Sequence, residues 1–295
     1  KRQVQGNADA GLFAQYERGD NLRDHYLVTR ELYGLDVDVV VWPENASDID
    51  PLRFPEAAAI ATEVSREMDA PLIVGTITKS GEETFNSILL WDFDDDLGRP
   101  IVRDQYDKIH PVPFAEYLPA RDFFYPLAPP LFDMIPRDYS FGERDTVFDV
   151  AGAIGGVAIC YDIVDDEILW SMMDGGADII FAPTNNADFG QTDQSVQQLA
   201  IAKMRAIETG RSVVNISTVG TSAIMDPTGA ELDRLPTYTE GHMVLDVPLA
   251  TYQTPATAIG RNIELGVVGF TLAGLIVAGA GHYGRYRRGE SGIPS

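Results

Sequence analysis

The 295-residue chain holds one cysteine, four histidines, and 22 lysines and arginines against 45 acidic residues. A single cysteine, Cys160, excludes an intrachain disulfide and a zinc site built on a cysteine cluster. His25, His110, His242 and His282 show no metal-ligand spacing, so the sequence implies no metal and no cofactor. A formal charge of −23 leaves no basic face for phosphates, which excludes a nucleic-acid binder and a binder of anionic membrane surfaces. The acidic run Asp92-Phe93-Asp94-Asp95-Asp96 reads as a solvated turn, with cation binding as the other reading. There is no internal repeat and no low-complexity tract. The start, Lys1-Arg2-Gln3-Val4-Gln5-Gly6, has no initiator Met, apolar leader or cleavage site, and the expectation is a piece of a longer protein.

What is present is enough apolar residue, 45%, to bury a sizeable core. At the C-terminal end Leu265 to Gly284 runs for twenty residues without a charge and is followed by Arg285, Arg287 and Arg288. At about 1.5 Å per helical residue such a run spans a bilayer core of roughly 30 Å. A buried core helix is the competing reading, weakened by six glycines and by the basic flank. The expectation is therefore a membrane helix over 263–284 with the arginines of a 285–295 tail in the cytoplasm. Residues 1–262 then form an extracytoplasmic domain. Small residues at Gly269, Ala273, Gly274 and Ala278 suit packing on partner membrane helices that this sequence does not contain.

The body of the chain reads as alternating strands and helices. Strands are expected at Val37–Val41, Pro71–Ile77, Phe85–Asp92, Ile101–Tyr106, Val147–Val150, Gly156–Cys160, Asp178–Ala182, Val213–Ser217, Thr221–Met225 and Met243–Val247. Helices are expected at Leu22–Leu35, Pro55–Met68, Asp165–Asp174 and Asp193–Gly210. Residues 107–145 carry seven prolines and scattered aromatics, too irregular for a regular element and too apolar for a linker. They read as a folded loop over a site. The pattern predicts a layered α/β domain with a largely buried sheet.

Three chemically capable residues fall at strand ends, where α/β sheets bind ligands. Glu44 follows Val-Val-Val-Trp-Pro, Lys108 follows Asp-Gln-Tyr-Asp, and Cys160 ends Gly-Gly-Val-Ala-Ile. A carboxylate base, an ammonium that stabilises thiolate and oxyanion, and a thiol nucleophile together suit attack on an acyl carbonyl. Taken singly, each has a plainer reading: Glu44 a first-turn helix charge, Lys108 a surface charge, Cys160 a core filler. Their joint order is harder to explain as accident.

The segments Val-Trp-Pro-Glu (41–44), Tyr-Asp-Lys-Ile-His-Pro-Val-Pro-Phe-Ala-Glu-Tyr-Leu-Pro (106–119) and Ile-Cys-Tyr-Asp (159–162) resemble the Glu-Lys-Cys signature of the nitrilase, or carbon–nitrogen hydrolase, superfamily. The middle segment, with Glu116 eight residues after Lys108, is similar to its membrane-bound branch, the apolipoprotein N-acyltransferases. Asn185-Asn186-Ala187-Asp188-Phe189-Gly190 and Met204-Arg205-Ala206-Ile207-Glu208 add matches. The resemblance implies a four-layer α-β-β-α sandwich followed by one C-terminal transmembrane helix, with catalytic Glu44, Lys108 and Cys160. Glu116, Asp162 and Tyr161 would support them, Glu116 as a second carboxylate that orients Lys108 or holds the loop closed. It implies transfer of an acyl chain from a phospholipid to the cysteine as a thioester, then to the α-amino group of a diacylglyceryl-cysteine apolipoprotein. It implies a bacterial plasma-membrane location and N-terminal membrane helices that are missing here. Asp162 stands where the family usually has Glu, and Asp188 where many members carry Trp.

The aromatics of 107–145, among them Phe114, Tyr117, Phe123, Phe124 and Phe132, admit two readings: a lid surface for acyl chains or membrane, or closure of the domain core. For the whole chain, a nitrilase-type amidase acting on small amides is the alternative to the acyltransferase. A silent membrane-anchored binding domain is a third reading, against which the intact Glu44, Lys108 and Cys160 set speaks.

Overall fold

The computed structural model describes residues 2–6, 17–133, 135 and 137–287. Lys1, residues 7–16, Met134, Pro136, residues 288–295 and the side chains of Arg2, Gln3, Asp188, Arg285, Tyr286 and Arg287 lie outside what is described. Two units are distinct, residues 1–252 and 253–295.

Among its described residues the first unit contains twelve strands in two six-stranded sheets. Strands β1 (Arg2–Gln5), β2 (Val40–Val41), β3 (Leu72–Ser80), β4 (Glu83–Asp94), β5 (Arg99–Asp107) and β12 (Gly241–Val244) form one sheet, in the order β12-β1-β2-β3-β4-β5. Strands β6 (Val147–Val150), β7 (Ala153–Val157), β8 (Ile179–Thr184), β9 (Ser212–Ser217), β10 (Ala223–Met225) and β11 (Glu231–Arg234) form the other, in the order β11-β10-β9-β8-β7-β6. Pairing is parallel through β1-β2-β3 and through β7-β8-β9, and antiparallel toward the edges. Helices α1 (Asp20–Arg30) and α2 (Pro55–Met68) contribute to the core of the first sheet, α5 (Asp166–Asp174) and α6 (Gln194–Thr209) to that of the second.

Both faces of the central strands are buried, and strand alternation assigns each of their residues to one of two cores. Val39, Val41, Ile73, Ile88, Leu90 and Tyr106 of the first sheet meet Val157, Ile159, Ile179, Phe181, Val214 and Ile216 of the second. Their neighbours Val40, Leu72, Val74 and Leu89 face α1 and α2 together with Ala57, Ala61 and Val64. Ile180, Ala182 and Val213 face α5 and α6 with Leu169, Met172, Leu199, Ala202 and Ala206. The result is the four-layer α-β-β-α sandwich expected from the sequence.

Helix α2 has the expected bounds, with Pro55 at its first position, where its missing N–H costs nothing, and Asp69 left-handed after it. Three expectations differ. The 107–145 segment is not free of regular structure: β5 extends to Asp107, and two single-turn helices follow, α3 (Arg121–Phe124) and α4 (Pro129–Phe132). The strand expected to end at Cys160 ends at Val157, and Cys160 instead opens a 3₁₀ turn over Cys160–Val164. Strands β1 and β11 were not anticipated.

Among its described residues the second unit holds one helix, α7 (Pro255–Arg287). Thr254 caps it, its hydroxyl accepting from Thr257 N–H at 3.2 Å, with Pro255 in the first turn. Within the span Pro255–Tyr283 the most apolar 18-residue stretch has a mean hydropathy of 2.0, and none of that stretch is buried.

Candidate active site

The first sheet's inner faces carry the site where their apolar stripes run out. On β5 the inner position after Tyr106 is Lys108; on β4 the one below Ile88 is Asn86; on β3 the one after Ile73 is Gly75. Glu44 follows β2 in a turn whose Asn45 is left-handed (φ 54°). That turn lies so close to β3 that a Cβ on Gly75 would meet Pro43 O at 2.2 Å and Glu44 Cα at 2.6 Å. Glycine there is a requirement of space.

Glu44 is buried, and its carboxylate is held on both oxygens. Oε1 accepts from Asn86 Nδ2 at 2.6 Å and faces Lys108 Nζ at 3.4 Å, while Oε2 accepts from the Asn185 N–H at 2.6 Å. Burial raises its pKa, an effect the Lys108 charge opposes. Lys108 is 1% exposed and bridges Glu44 and Glu116, its Nζ lying 2.7 Å from Glu116 Oε2. Burial works against the ammonium, but Glu44, the Cys160 sulfur and Glu116 outweigh it and hold Lys108 protonated above its ordinary range. Glu116 also accepts from Asn86 Nδ2 at 3.0 Å and from Val112 N–H at 2.7 Å. It thereby fastens the start of the 107–145 segment to the site.

Cys160 sits at the rim of the second sheet in a left-handed conformation (φ 51°) that costs a side chain about 1–2 kcal/mol. It packs against the inter-sheet core, and its Sγ accepts from Gln198 Nε2 of α6 at 3.4 Å. Burial pushes the thiol up from its ordinary 9.0 to about 11; the Glu44 charge adds to this, while Lys108 and the Thr184 hydroxyl pull it down. Glu44, Lys108 and Cys160 are thus brought together, with Glu116 on the lysine.

Asp162 is fully buried and touches neither Lys108 nor Glu44 directly. It accepts from Tyr106 Oη at 2.7 Å, His110 N–H at 3.0 Å and Ile159 N–H at 3.3 Å, tying β5 and the following loop to the cysteine turn. Burial raises its pKa, countered chiefly by Lys108. Tyr161 is exposed and donates no hydrogen bond among the described residues. His110 reaches Asp165, the N-cap of α5, at 3.0 Å.

Two amides not singled out in the sequence complete the site. Asn86 donates to both carboxylates, and its own Oδ1 is buried without a partner among the described residues. Gln198 lies on the buried stripe of α6 with Ser195, Leu199 and Ala202. In both cases the available signal was a polar residue at an apolar position of the period.

The aromatics of the 107–145 segment divide between the two readings. Leu118, Phe132 and Ile135 form a small core with Phe124 and Tyr125 against it, whereas Phe123, Leu127 and Leu131 are exposed. Among the described residues no cluster of three His, Cys, Asp or Glu could hold a metal ion.

Residues 9–256 match the carbon–nitrogen hydrolase family model. The chain belongs to the carbon–nitrogen hydrolase family. It is 34% identical to the apolipoprotein N-acyltransferase of Mycolicibacterium smegmatis over 84% of this chain and 41% of that one. With the apolipoprotein N-acyltransferase of Shewanella oneidensis it shares 30% identity over 77% of this chain and 45% of the other. The chain therefore spans less than half the length of these curated relatives. Among solved structures, an amidase from Nesterenkonia sp. superimposes with a TM-score of 0.62 at 17% identity, covering 88% of this chain and 94% of that one. A Saccharomyces cerevisiae member of branch 10 of the nitrilase superfamily gives 0.60 at 15% identity, covering 89% and 93%. These two likenesses concern the sandwich fold alone.

Proposed function

We propose that the chain is the catalytic part of an apolipoprotein N-acyltransferase, working through Glu44, Lys108 and Cys160. The observation that carries the chemistry is the buried Lys108 set between Glu44 and Glu116 beside a half-buried thiol. In the first half-reaction Glu44 takes the Cys160 proton as the sulfur attacks the ester carbonyl of a phospholipid. The S–C bond forms, the C–O bond breaks, and Glu44 returns the proton to the departing glyceryl oxygen. Lys108 stays protonated and faces the developing oxyanion. In the second half, the α-amine of a diacylglyceryl-cysteine attacks the thioester. The N–C bond forms, the C–S bond breaks, and Glu44 carries the amine proton to the thiolate. Glu116 positions Lys108; Asp162 holds the cysteine turn, and Tyr161 stands beside the nucleophile on the exposed side.

The choice of a lipid donor is supported by the relatives' names and by the apolar helix Pro255–Tyr283. In this reading residues 1–262 are extracytoplasmic, 263–284 cross the bilayer of a bacterial plasma membrane, and 285–295 lie in the cytoplasm. Membrane helices of a longer parent protein pack on the last helix. Exposed Phe123, Leu127 and Leu131 offer an apolar surface to acyl chains or the membrane.

The test is the intact mass of the full-length, detergent-solubilised protein after incubation with phospholipid and no acceptor, beside Cys160→Ala. A hydroxylamine-labile fatty-acyl adduct confined to the unmodified protein is expected. No adduct, with hydrolysis of a small amide instead, makes the protein an amidase.

A further inference from the structure

The sulfur of Cys160 has a neighbour that the Glu-Lys-Cys chemistry leaves unused. Gln198 projects from α6 and places Nε2 3.4 Å from Sγ. Its orientation is fixed from behind, because Oε1 accepts from Asn186 Nδ2 at 2.8 Å and from Thr184 Oγ1 at 3.1 Å. Asn186 packs in turn against Ser217, whose Oγ lies 2.9 Å from Asn186 Oδ1 and shares its one proton between that oxygen and the Val219 carbonyl. Ser217, Asn186 and Thr184 are all at least 98% buried, so each donor and acceptor is committed within the protein. The chain of donors runs from the Asn186 amide to the Gln198 amide to the sulfur, and a flip of the Gln198 amide would set its NH2 against the Asn186 NH2 and its carbonyl against the sulfur. Donor-to-acceptor chains of this kind polarise one another in a buried setting.

We propose that Gln198 is a further catalytic residue, an oriented N–H donor that stabilises the Cys160 thiolate. The proposal rests on the acyl-transfer reading for its purpose, since the thiolate is the attacking group when the thioester forms and the leaving group when the amine resolves it. One N–H serves both steps, because in each the transition state carries more negative charge on sulfur than the ground state on its neutral side. The other groups acting electrostatically on Cys160 are Glu44, Lys108 and Glu116; of these only Lys108 favours the anion. Beside Lys108 and the Thr184 hydroxyl, Gln198 adds thiolate stabilisation from the helix layer opposite the lysine-bearing sheet, without a second buried cation. A neutral donor to a charged acceptor contributes enough to change a rate by about tenfold or more.

The test uses the full-length, detergent-solubilised protein and needs no lipid. Cys160 alkylation by iodoacetamide is followed from pH 6 to 10 in the unmodified protein, Gln198→Met and Gln198→Glu, with thermal unfolding measured on each. Met keeps the length and removes the donor; Glu keeps the shape and turns an acceptor toward the sulfur. Expected is alkylation about tenfold slower in Gln198→Met near neutral pH, a pH profile moved upward, and a larger effect in Gln198→Glu. Unfolding temperatures should remain close to that of the unmodified protein. Coincident profiles for all three proteins overturn the proposal. Equal slowing by Met and Glu alongside equally lowered unfolding temperatures also overturns it, because that pattern belongs to packing. If either variant does not fold, Gln198→Leu, which also removes the donor, should slow alkylation in the same direction, and an unchanged rate overturns the proposal. Failure of the acyl-transfer reading is seen separately: the phospholipid adduct is then missing in the unmodified protein while the alkylation profiles still separate.

Discussion

Replacing Lys108 by methionine tests whether the buried ion triple holds the site together. Nζ lies 2.7 Å from Glu116 and 3.4 Å from Glu44. At an effective dielectric of about 20 these attractions are each on the order of 5 kcal/mol, offset by several kcal/mol of desolvation per ion. The net effect of removing one partner of such a set is a loss of about 3–5 kcal/mol, because uncompensated charge stays buried. In a domain of this size that lowers the unfolding temperature by about 10 °C. The loss should also depend on pH. Burial already raises the Glu44 carboxyl above its ordinary 4.5, and deleting the ammonium raises it further. A carboxyl that holds its proton more tightly folded than unfolded releases it on unfolding, so stability falls as pH rises above 4.5 toward the raised folded value. Lys108→Met should therefore lie closest to the unmodified protein near pH 5 and fall away toward pH 8. Adding Glu116→Gln should restore part of the loss. Thermal unfolding across that range is the assay. A pH-independent deficit, or a double variant no more stable than Lys108→Met, would refute the reasoning.

Glu44→Gln should abolish phospholipid acylation while leaving Cys160 alkylation to rise only at alkaline pH, with a midpoint below the unmodified protein's value of about 11 because the Glu44 charge that helps raise the thiol is gone; a surviving neutral-pH limb speaks against Glu44 as base. Gly75→Ala forces the Glu44 turn and β3 apart by backbone contact. It should cost about 1–3 kcal/mol and reduce acylation about 100-fold, measured together by unfolding and adduct formation. Asp162→Asn turns an amide donor toward at least one of three buried donors, Tyr106 Oη, His110 N–H or Ile159 N–H. A destabilisation of about 1–3 kcal/mol is expected in denaturant titration. Phe123→Ser should lower adduct formation with phospholipid and leave the unfolding temperature unchanged. Phe124 is a poor probe of the same surface because it packs on Leu118 and Phe132.

Most of the sheet framework was legible because both faces of the central strands are buried, which writes them as β-branched runs such as Val39-Val40-Val41 and Ile179-Ile180-Phe181. β1 was not legible. It lies between β12 and β2 yet reads Arg-Gln-Val-Gln, and the buried Gln5 is satisfied by Thr239 O at 2.6 Å and by Ser222, partners more than two hundred residues away. β11, Glu-Leu-Asp-Arg, is an exposed edge strand whose composition carries no strand signal. Cys160 broke its expected strand because its left-handed backbone is a tertiary demand, which local propensity opposes. Glu44, Lys108, Cys160 and Glu116 were visible by motif; that Asn86 would reach both carboxylates depends on strand pairing that no local spacing encodes.

The placement of the site follows from the same alternation that builds the core. A buried ammonium between two carboxylates needs a low-dielectric setting for strong interactions, and also enough polar atoms to satisfy every partner. The end of the inter-sheet layer meets both demands. Ile73, Ile88 and Tyr106 supply the apolar floor, and one step of the strand period beyond them lie Gly75, Asn86 and Lys108. Gly75 makes room for the Glu44 turn, Asn86 binds both carboxylates, and Lys108 joins them. A one-residue slip of β5 in its register with β4 would carry Lys108 to the opposite face and leave Glu44 and Glu116 buried without a cation. The energetic penalty of that misfold protects the register, so the buried charges also specify the strand pairing that positions them.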